Sequence, residues 1–212
     1  MNMINTHPFT KSDCIAALPT LPSEIIDRFD VYLNLLTKWQ RAINLVSKST
    51  LKDAWRRHIL DSAQLLPEID PAKNIVDLGS GAGFPGLVIA IATGANVHLV
   101  ESDQRKATFM REVARETGTK VNVHVARIED LEPLNADIIT ARALAPLTKL
   151  LPWAYRHIAQ EGTCVFLKGA DVEQELTEST KQWTMTTARK ASVTDDSGTI
   201  LVIKNLSPLT DG

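Results

Sequence analysis

Apolar side chains recur at helical spacing near the start of the chain. Ile25, Phe29, Tyr32, Leu36, Trp39 and Ile43 fall on one face of a helix for which Pro22 and Ser23 supply the start. A second helical stretch, Lys52 to Leu66, gathers Trp55, Ile59, Leu60, Ala63 and Leu66 on one side. It should end before Pro67, because the residue preceding a proline disfavours helical backbone. Upstream, Pro8, Pro19 and Pro22 break periodicity apart from a short apolar run from Cys14 to Leu18, which predicts a loosely ordered entry. Residues 1–70 therefore read as a helical cap, with residues 71–212 as the α/β part of one compact unit.

From Asn74 the pattern changes. Short apolar runs bounded by glycine or charge alternate with amphipathic stretches, as in βα units forming a mostly parallel sheet. The expected strands are Ile75 to Leu78, Val97 to Glu101, Val121 to Val125, Ala136 to Thr140, Thr163 to Leu167 and Thr199 to Lys204. Gln104 to Thr117 should form a helix with Ala107, Met110, Val113 and Ala114 on the sheet and Arg105, Lys106, Arg111 and Arg115 turned outward. Arg189 to Val193, the polar turn Asp195-Asp196-Ser197-Gly198 and Thr199 to Lys204 read as a hairpin. A Rossmann-like α/β sheet, mostly parallel, closed by a C-terminal antiparallel hairpin and preceded by a helical N-terminal cap, is the methyltransferase variant of that architecture.

Composition narrows the setting. The chain has 212 residues, enough for a core without metals or disulfides, and its two cysteines, Cys14 and Cys164, have no redox or zinc spacing. Reduced packing thiols, a cytoplasmic location, no membrane contact and no metal are expected. A formal net charge of −2 leaves no global footprint of a nucleic-acid binder, so any such contact must rest on local clusters.

The chemistry begins at Asp77-Leu78-Gly79-Ser80-Gly81-Ala82-Gly83-Phe84-Pro85-Gly86. A strand running into Gly79, Gly81 and Gly83 turns sharply and lets a ligand approach the backbone, with a helix N-terminus following near Pro85. Asp77 could place a carboxylate against a cationic amino group, and Glu101, ending the second strand, suits a ribose diol. Gly81 to Gly86 also matches the dinucleotide fingerprint, so a nicotinamide oxidoreductase competes with an S-adenosylmethionine enzyme. Asp77, the segment Arg127-Ile128-Glu129-Asp130 and the terminal hairpin favour the methyl donor. Ile128 could cover an adenine face and Glu129 meet its amine, at the sheet edge where ligands of open α/β sheets bind.

After the fourth strand, Thr140-Ala141-Arg142-Ala143-Leu144-Ala145-Pro146 lacks the Asn/Asp-Pro-Pro-aromatic run usual for exocyclic-amine methylation, and neither cysteine suits attack on a pyrimidine. An acceptor that is already nucleophilic remains, such as guanine N7, which needs alignment more than a base. No general base is expected. Arg142 could orient a guanine edge, bind a phosphate or serve a structural salt bridge, and Lys168, ending strand five, is the other candidate. Lys48, Lys52, Arg56 and Arg57 in the cap are candidate RNA contacts, and equally ordinary solvated charges; His58 reads as a packed histidine.

Several segments together closely resemble the RsmG (GidB) family of bacterial small-subunit ribosomal RNA methyltransferases. They are Trp39-Gln40-Arg41-Ala42-Ile43-Asn44-Leu45-Val46-Ser47, Arg57-His58-Ile59-Leu60-Asp61-Ser62, the loop Asp77 to Gly86, Thr140-Ala141-Arg142-Ala143 and Phe166-Leu167-Lys168-Gly169. The resemblance implies a class I methyltransferase fold, S-adenosylmethionine as cofactor, and transfer to guanine N7 in 16S ribosomal RNA. It also implies that Gly79, Phe84, Ile128, Glu129 and Arg142 contact the cofactor, which moves Arg142 towards the methionyl end. Phe84 stands where relatives often carry leucine. The near-neutral charge then suggests a substrate presented in the assembled or assembling small subunit. A non-catalytic RNA-binding assembly factor with the same fold is the third reading.

Overall fold

The computed structural model describes residues 9–209. The cap comprises α1 (Lys11–Ala17), α2 (Ser23–Trp39), α3 (Lys48–Leu51), a π-helical turn (Trp55–Leu60), α4 (Asp61–Ala63) and a 3-10 turn (Leu66–Glu68). The α/β part follows as β1 (Asn74–Leu78), α5 (Gly86–Thr93), β2 (Asn96–Glu101), α6 (Gln104–Glu116), β3 (Asn122–Val125) and β4 (Ala136–Arg142). It ends with α7 (Leu147–His157), β5 (Ile158–Lys168), α8 (Val172–Ser179), β6 (Trp183–Ala191) and β7 (Thr199–Pro208).

The sheet has the order β3-β2-β1-β4-β5-β7-β6. β1 to β5 are parallel, and β7 runs antiparallel between β5 and β6. The order reverses between β1 and β4, so the crevice beyond their carboxyl ends is where a ligand binds in such sheets. α6 follows the expected amphipathic logic, with Asp103 capping it and Ala107, Phe109, Met110, Val113 and Ala114 buried. α5 is apolar all round because it is covered on all sides: Leu87 to Ile91 are all buried, between the sheet and the cap. Phe29, Tyr32, Leu36 and Ile59 of the cap share one apolar cluster with Leu87, Ile89 and Phe109 of the α/β part.

Several expected boundaries are corrected. The loosely ordered entry is a helix from Lys11, because Thr10 and Asp13 form a reciprocal capping box; the first eight residues lie outside the described ones. α2 ends at Trp39, so Ile43 falls beyond it. The Gln40 amide accepts from Leu45 N and Val46 N, each at 3.0 Å, and donates to the Val46 carbonyl, tying down that turn. The expected helix from Lys52 to Leu66 is a chain of short pieces with a π-helical turn at its centre, and Pro67 enters the 3-10 turn, where its missing N–H is not needed. β6 begins at Trp183, not Arg189: as a sheet edge it alternates threonine with half-buried positions and shows no apolar run.

Candidate active site

The glycine loop leaves β1 at Leu78. Gly79 has φ 63°, and a β-carbon there would lie 2.4 Å from Leu144 Cδ1, so Leu144 packs into the space of the missing side chain. Gly81, with φ 58°, has only the Gly79 carbonyl at 3.9 Å and otherwise opens onto free space. Its N–H donates to Glu101 Oε2 at 2.9 Å, while Glu101 Oε1 accepts from Asp103 N at 2.8 Å. Glu101 thus holds the loop and α6 together at the edge of the crevice.

Asp77 does not do what the sequence suggested. It is wholly buried beneath the loop, accepting from Thr140 Oγ1 at 2.8 Å and Gly86 N at 3.2 Å, and it is not among the residues lining the cavity. Burial pushes its carboxyl up to about 6, against the opposing hydrogen bonds from Thr140, Ser80 and Gly86. Its work is to join β1, β4 and the start of α5.

Phe84 stands in an aromatic column. Its ring stacks on Tyr32 at 4.9 Å and on His58 at 4.8 Å, and the Arg142 guanidinium lies 5.0 Å from its centroid. The Tyr32 hydroxyl donates to the Ala82 carbonyl. The cap therefore reaches the glycine loop through one phenylalanine, which stacks on two of its side chains.

Arg142 ends β4 and turns into the cap. Nη1 donates to the Arg57 carbonyl at 2.8 Å and to Asp61 Oδ2 at 3.1 Å, and Nη2 lies 3.2 Å from His58 Nδ1. The other oxygen of Asp61 accepts from Thr194 Oγ1 in the β6–β7 loop and from Gln64 Nε2 at 3.0 Å. Arg57 pairs with Asp195 of the same loop at 2.8 Å, which holds that carboxyl down near about 2. Burial, then Arg142 and Arg57, press the His58 imidazolium down to about 3, so the ring is neutral.

Together these elements enclose a cavity of about 670 Å³, within the range of small-molecule sites. Gly79, Gly81, Phe84, Glu101, Ile128, Glu129, Arg142 and Lys168 all line it, joined by Thr50, Arg57, His58 and Asp61 from the cap and by Ser192, Asp195 and Gly198 from the hairpin loop. Residues 25–202 match the model of the GidB family, rRNA small subunit methyltransferase G. The ribosomal RNA small subunit methyltransferase G of Paramagnetospirillum magneticum is 54% identical over 185 residues, covering 87% of this chain and 90% of that protein. The same enzyme of Rhodospirillum rubrum is 50% identical over 192 residues, covering 90% and 96%. The chain belongs to the rRNA small subunit methyltransferase G family. Membership makes it an S-adenosylmethionine-dependent methyltransferase and sets aside the nicotinamide reading of the glycine loop.

Solved structures agree on the fold. TYW2 of M. jannaschii in complex with AdoMet superposes with a TM-score of 0.57 at 12% identity, covering 80% of each chain. A SAM dependent methyltransferase of Aquifex aeolicus gives 0.56 at 17% identity, covering 74% and 96%. The residues present suit the family's cofactor. Gly81 leaves open space where a side chain would stand, Glu101 offers carboxylate lone pairs, and Ile128 offers a nearly buried apolar surface. The Ile128 carbonyl accepts from His157 Nε2 at 2.8 Å, which fixes its loop. Glu129 is more exposed and pairs with Arg127 at 3.2 Å.

Lys168 lines the cavity, but its ammonium is held at 2.7 Å from Glu175 and 3.0 Å from the Ala145 carbonyl. Lys48 and Lys52 are exposed and make no ion pair among the described residues, whereas Arg56 pairs with Asp53 at 2.6 Å. Tyr32, Asp61, Leu144 and Asp195 were not named as site residues from sequence. A signal existed for one of them: His58 and Asp61 stand one helical turn apart inside an otherwise apolar stripe.

Proposed function

We propose that the protein methylates N7 of one guanine in 16S ribosomal RNA, with Gly79, Gly81, Phe84, Glu101, Ile128, Glu129 and Arg142 holding the cofactor. S-adenosylmethionine supplies a methyl group on a sulfonium, which calls for an aligned lone pair on the acceptor. The state of the carboxylates and the histidine that line the cavity carries the choice of atom. His58 Nδ1 faces Arg142, Asp61 is shared by Arg142 and Thr194, and Glu101 accepts two backbone N–H groups. Asp195 is held by Arg57 and Glu129 by Arg127. Each already accepts from or faces a donor, which disfavours its service as a base towards an amine.

Neither cysteine lines the cavity, and both are buried with their thiols pushed up by desolvation, which disfavours covalent attack on a pyrimidine. Guanine N7 brings its own lone pair. The residues then align the acceptor and exclude water, and general acid–base chemistry has no part.

Lys48 and Lys52 are proposed phosphate contacts, with Arg56 and Arg57 beside them at the cap. The net charge of −2 favours RNA presented in the assembled or assembling small subunit, in the cytoplasm. No helix among the described residues is long and apolar enough to cross a membrane. Radiolabelled S-adenosylmethionine with undermethylated small subunits, followed by nuclease digestion, tests the atom: label in 7-methylguanosine supports it, and label in any other nucleoside overturns it. Equal turnover on naked 16S RNA would overturn the subunit requirement.

A further inference from the structure

Arg142 is fixed by the cap, and its contact to His58 has a chemical consequence. A guanidinium carries five donors and no acceptor. His58 Nδ1, 3.2 Å from Nη2, must therefore present a lone pair. The ring proton then sits on Nε2, 3.1 Å from Thr50 Oγ1. That hydroxyl spends its own hydrogen on the Ser47 carbonyl at 3.0 Å, so it can accept from the ring. The Arg142 end thus demands this tautomer, and the Thr50 end accommodates it. The ring is also nearly buried and stacks on Phe84 with an interplanar angle of 21°, which opposes its turning over.

The two terminal nitrogens of Arg142 are held differently. Nη1 uses both hydrogens on the Arg57 carbonyl and Asp61, whereas Nη2 has His58 alone among the described residues. Nε and the second Nη2 hydrogen remain for an anionic ligand group. We propose that His58 is a positioning residue for cofactor binding: its Nδ1 lone pair sets the plane of the Arg142 guanidinium so that these two donors meet the carboxylate end of S-adenosylmethionine. The inference rests on Arg142 being a cofactor-binding residue.

Asparagine places an amide oxygen close to the position of Nδ1, while glutamine reaches towards that of Nε2 and abandons Arg142. His58→Asn should bind S-adenosylmethionine within about threefold of the unmodified protein, and His58→Gln about tenfold more weakly, the scale of one hydrogen bond to a charged group. Calorimetric titration reads both, with Arg142→Gln measured beside them and melting temperatures confirming that each variant folds. Nitrogen-15 shifts of the unmodified protein should report the Nε2–H tautomer of His58 at neutral pH, whatever the variants do. Equal binding by the Asn and Gln variants, tighter binding by Gln than Asn, or an Nδ1–H tautomer would each overturn the role. Undiminished binding by Arg142→Gln would overturn it too, by removing Arg142 from the cofactor site while leaving the methyltransferase itself intact.

Discussion

Gly79→Ala and Gly81→Ala separate backbone strain from steric conflict in the glycine loop. Both positions have left-handed backbone, φ 63° and 58°, so an L side chain costs roughly 1–2 kcal/mol at either. They differ in what the new β-carbon meets. At Gly79 it lies 2.4 Å from Leu144 Cδ1, and at Gly81 nothing is closer than the Gly79 carbonyl at 3.9 Å. Displacing a packed side chain adds about 1–3 kcal/mol. Gly79→Ala should therefore lose about 2–5 kcal/mol of unfolding free energy and Gly81→Ala about 1–2. Because Leu144 lines the cavity, moving it should also weaken cofactor binding. Leu144→Ala in the Gly79→Ala background removes the conflict, so the double variant should be more stable than the two single losses added together. Denaturant unfolding and calorimetric titration measure both effects. Equal losses at Gly79 and Gly81, or strict additivity with Leu144→Ala, would refute the argument.

Asp77 has a folded pKa of about 6 against an ordinary 3.8, so its protonated form is favoured by folding. That contribution is fully present below 3.8 and is lost as pH rises through 6; the stability of the native protein relative to Asp77→Asn should fall by about 3 kcal/mol between pH 3.5 and 7, and parallel profiles would exclude it. Lys168→Met should cost about 1–3 kcal/mol in denaturant unfolding, because Glu175 keeps only the Leu147 N–H as a donor among the described residues, with part of it restored in Lys168→Met/Glu175→Gln. Recovery of stability without recovery of methyl transfer would instead assign Lys168 to the chemistry. Ala143 has φ 50° without being glycine, so Ala143→Gly should be close to neutral, strain relief offsetting chain entropy, while Ala143→Val should lose at least about 2 kcal/mol; a tolerated valine would contradict the left-handed corner.

The parallel strands were legible because strands buried on both faces read as continuous apolar runs: Ile75 to Leu78 and Val97 to Glu101 are buried almost throughout. The polar edge strand β6 offers no such run, so only its last residues were anticipated. The cap was visible as helix but not as a π-helical turn, since a repeat of 3.6 residues cannot reveal one widened turn. Gly79, Gly81, Glu101, Ile128 and Glu129 were named from motif and strand ends, Phe84 and the cofactor role of Arg142 from the family resemblance, and all eight expected cofactor residues except Asp77 line the cavity. Asp77 misled because strand-end position does not say whether a carboxylate faces the ligand or the underside of its own loop. Leu144 on Gly79 and Asp61 on Thr194 are contacts between distant segments and leave no mark in local spacing.

Those distant contacts form a ring around the cavity. Arg142 runs from the end of β4 into the cap, Asp61 passes the contact on to Thr194, and Gln64 accepts from Val193 N at 2.9 Å in the same hairpin loop. The outermost member, Arg57 with Asp195, is half-exposed and worth about 1 kcal/mol or less as an isolated pair. The inner members are largely buried, so removing one leaves another polar group without its partner, and their losses will not add as independent terms. A cap held to the sheet only by apolar packing could slide over α5 at little cost in specificity. The polar ring fixes it in one register, because the Arg57 carbonyl, His58 and Asp61 meet Arg142 from successive positions of the widened helical turn and the residue that follows it. The π-helical turn is thus the local distortion through which one strand-end arginine finds three acceptors, and the cavity takes its geometry from the cap as much as from the glycine loop.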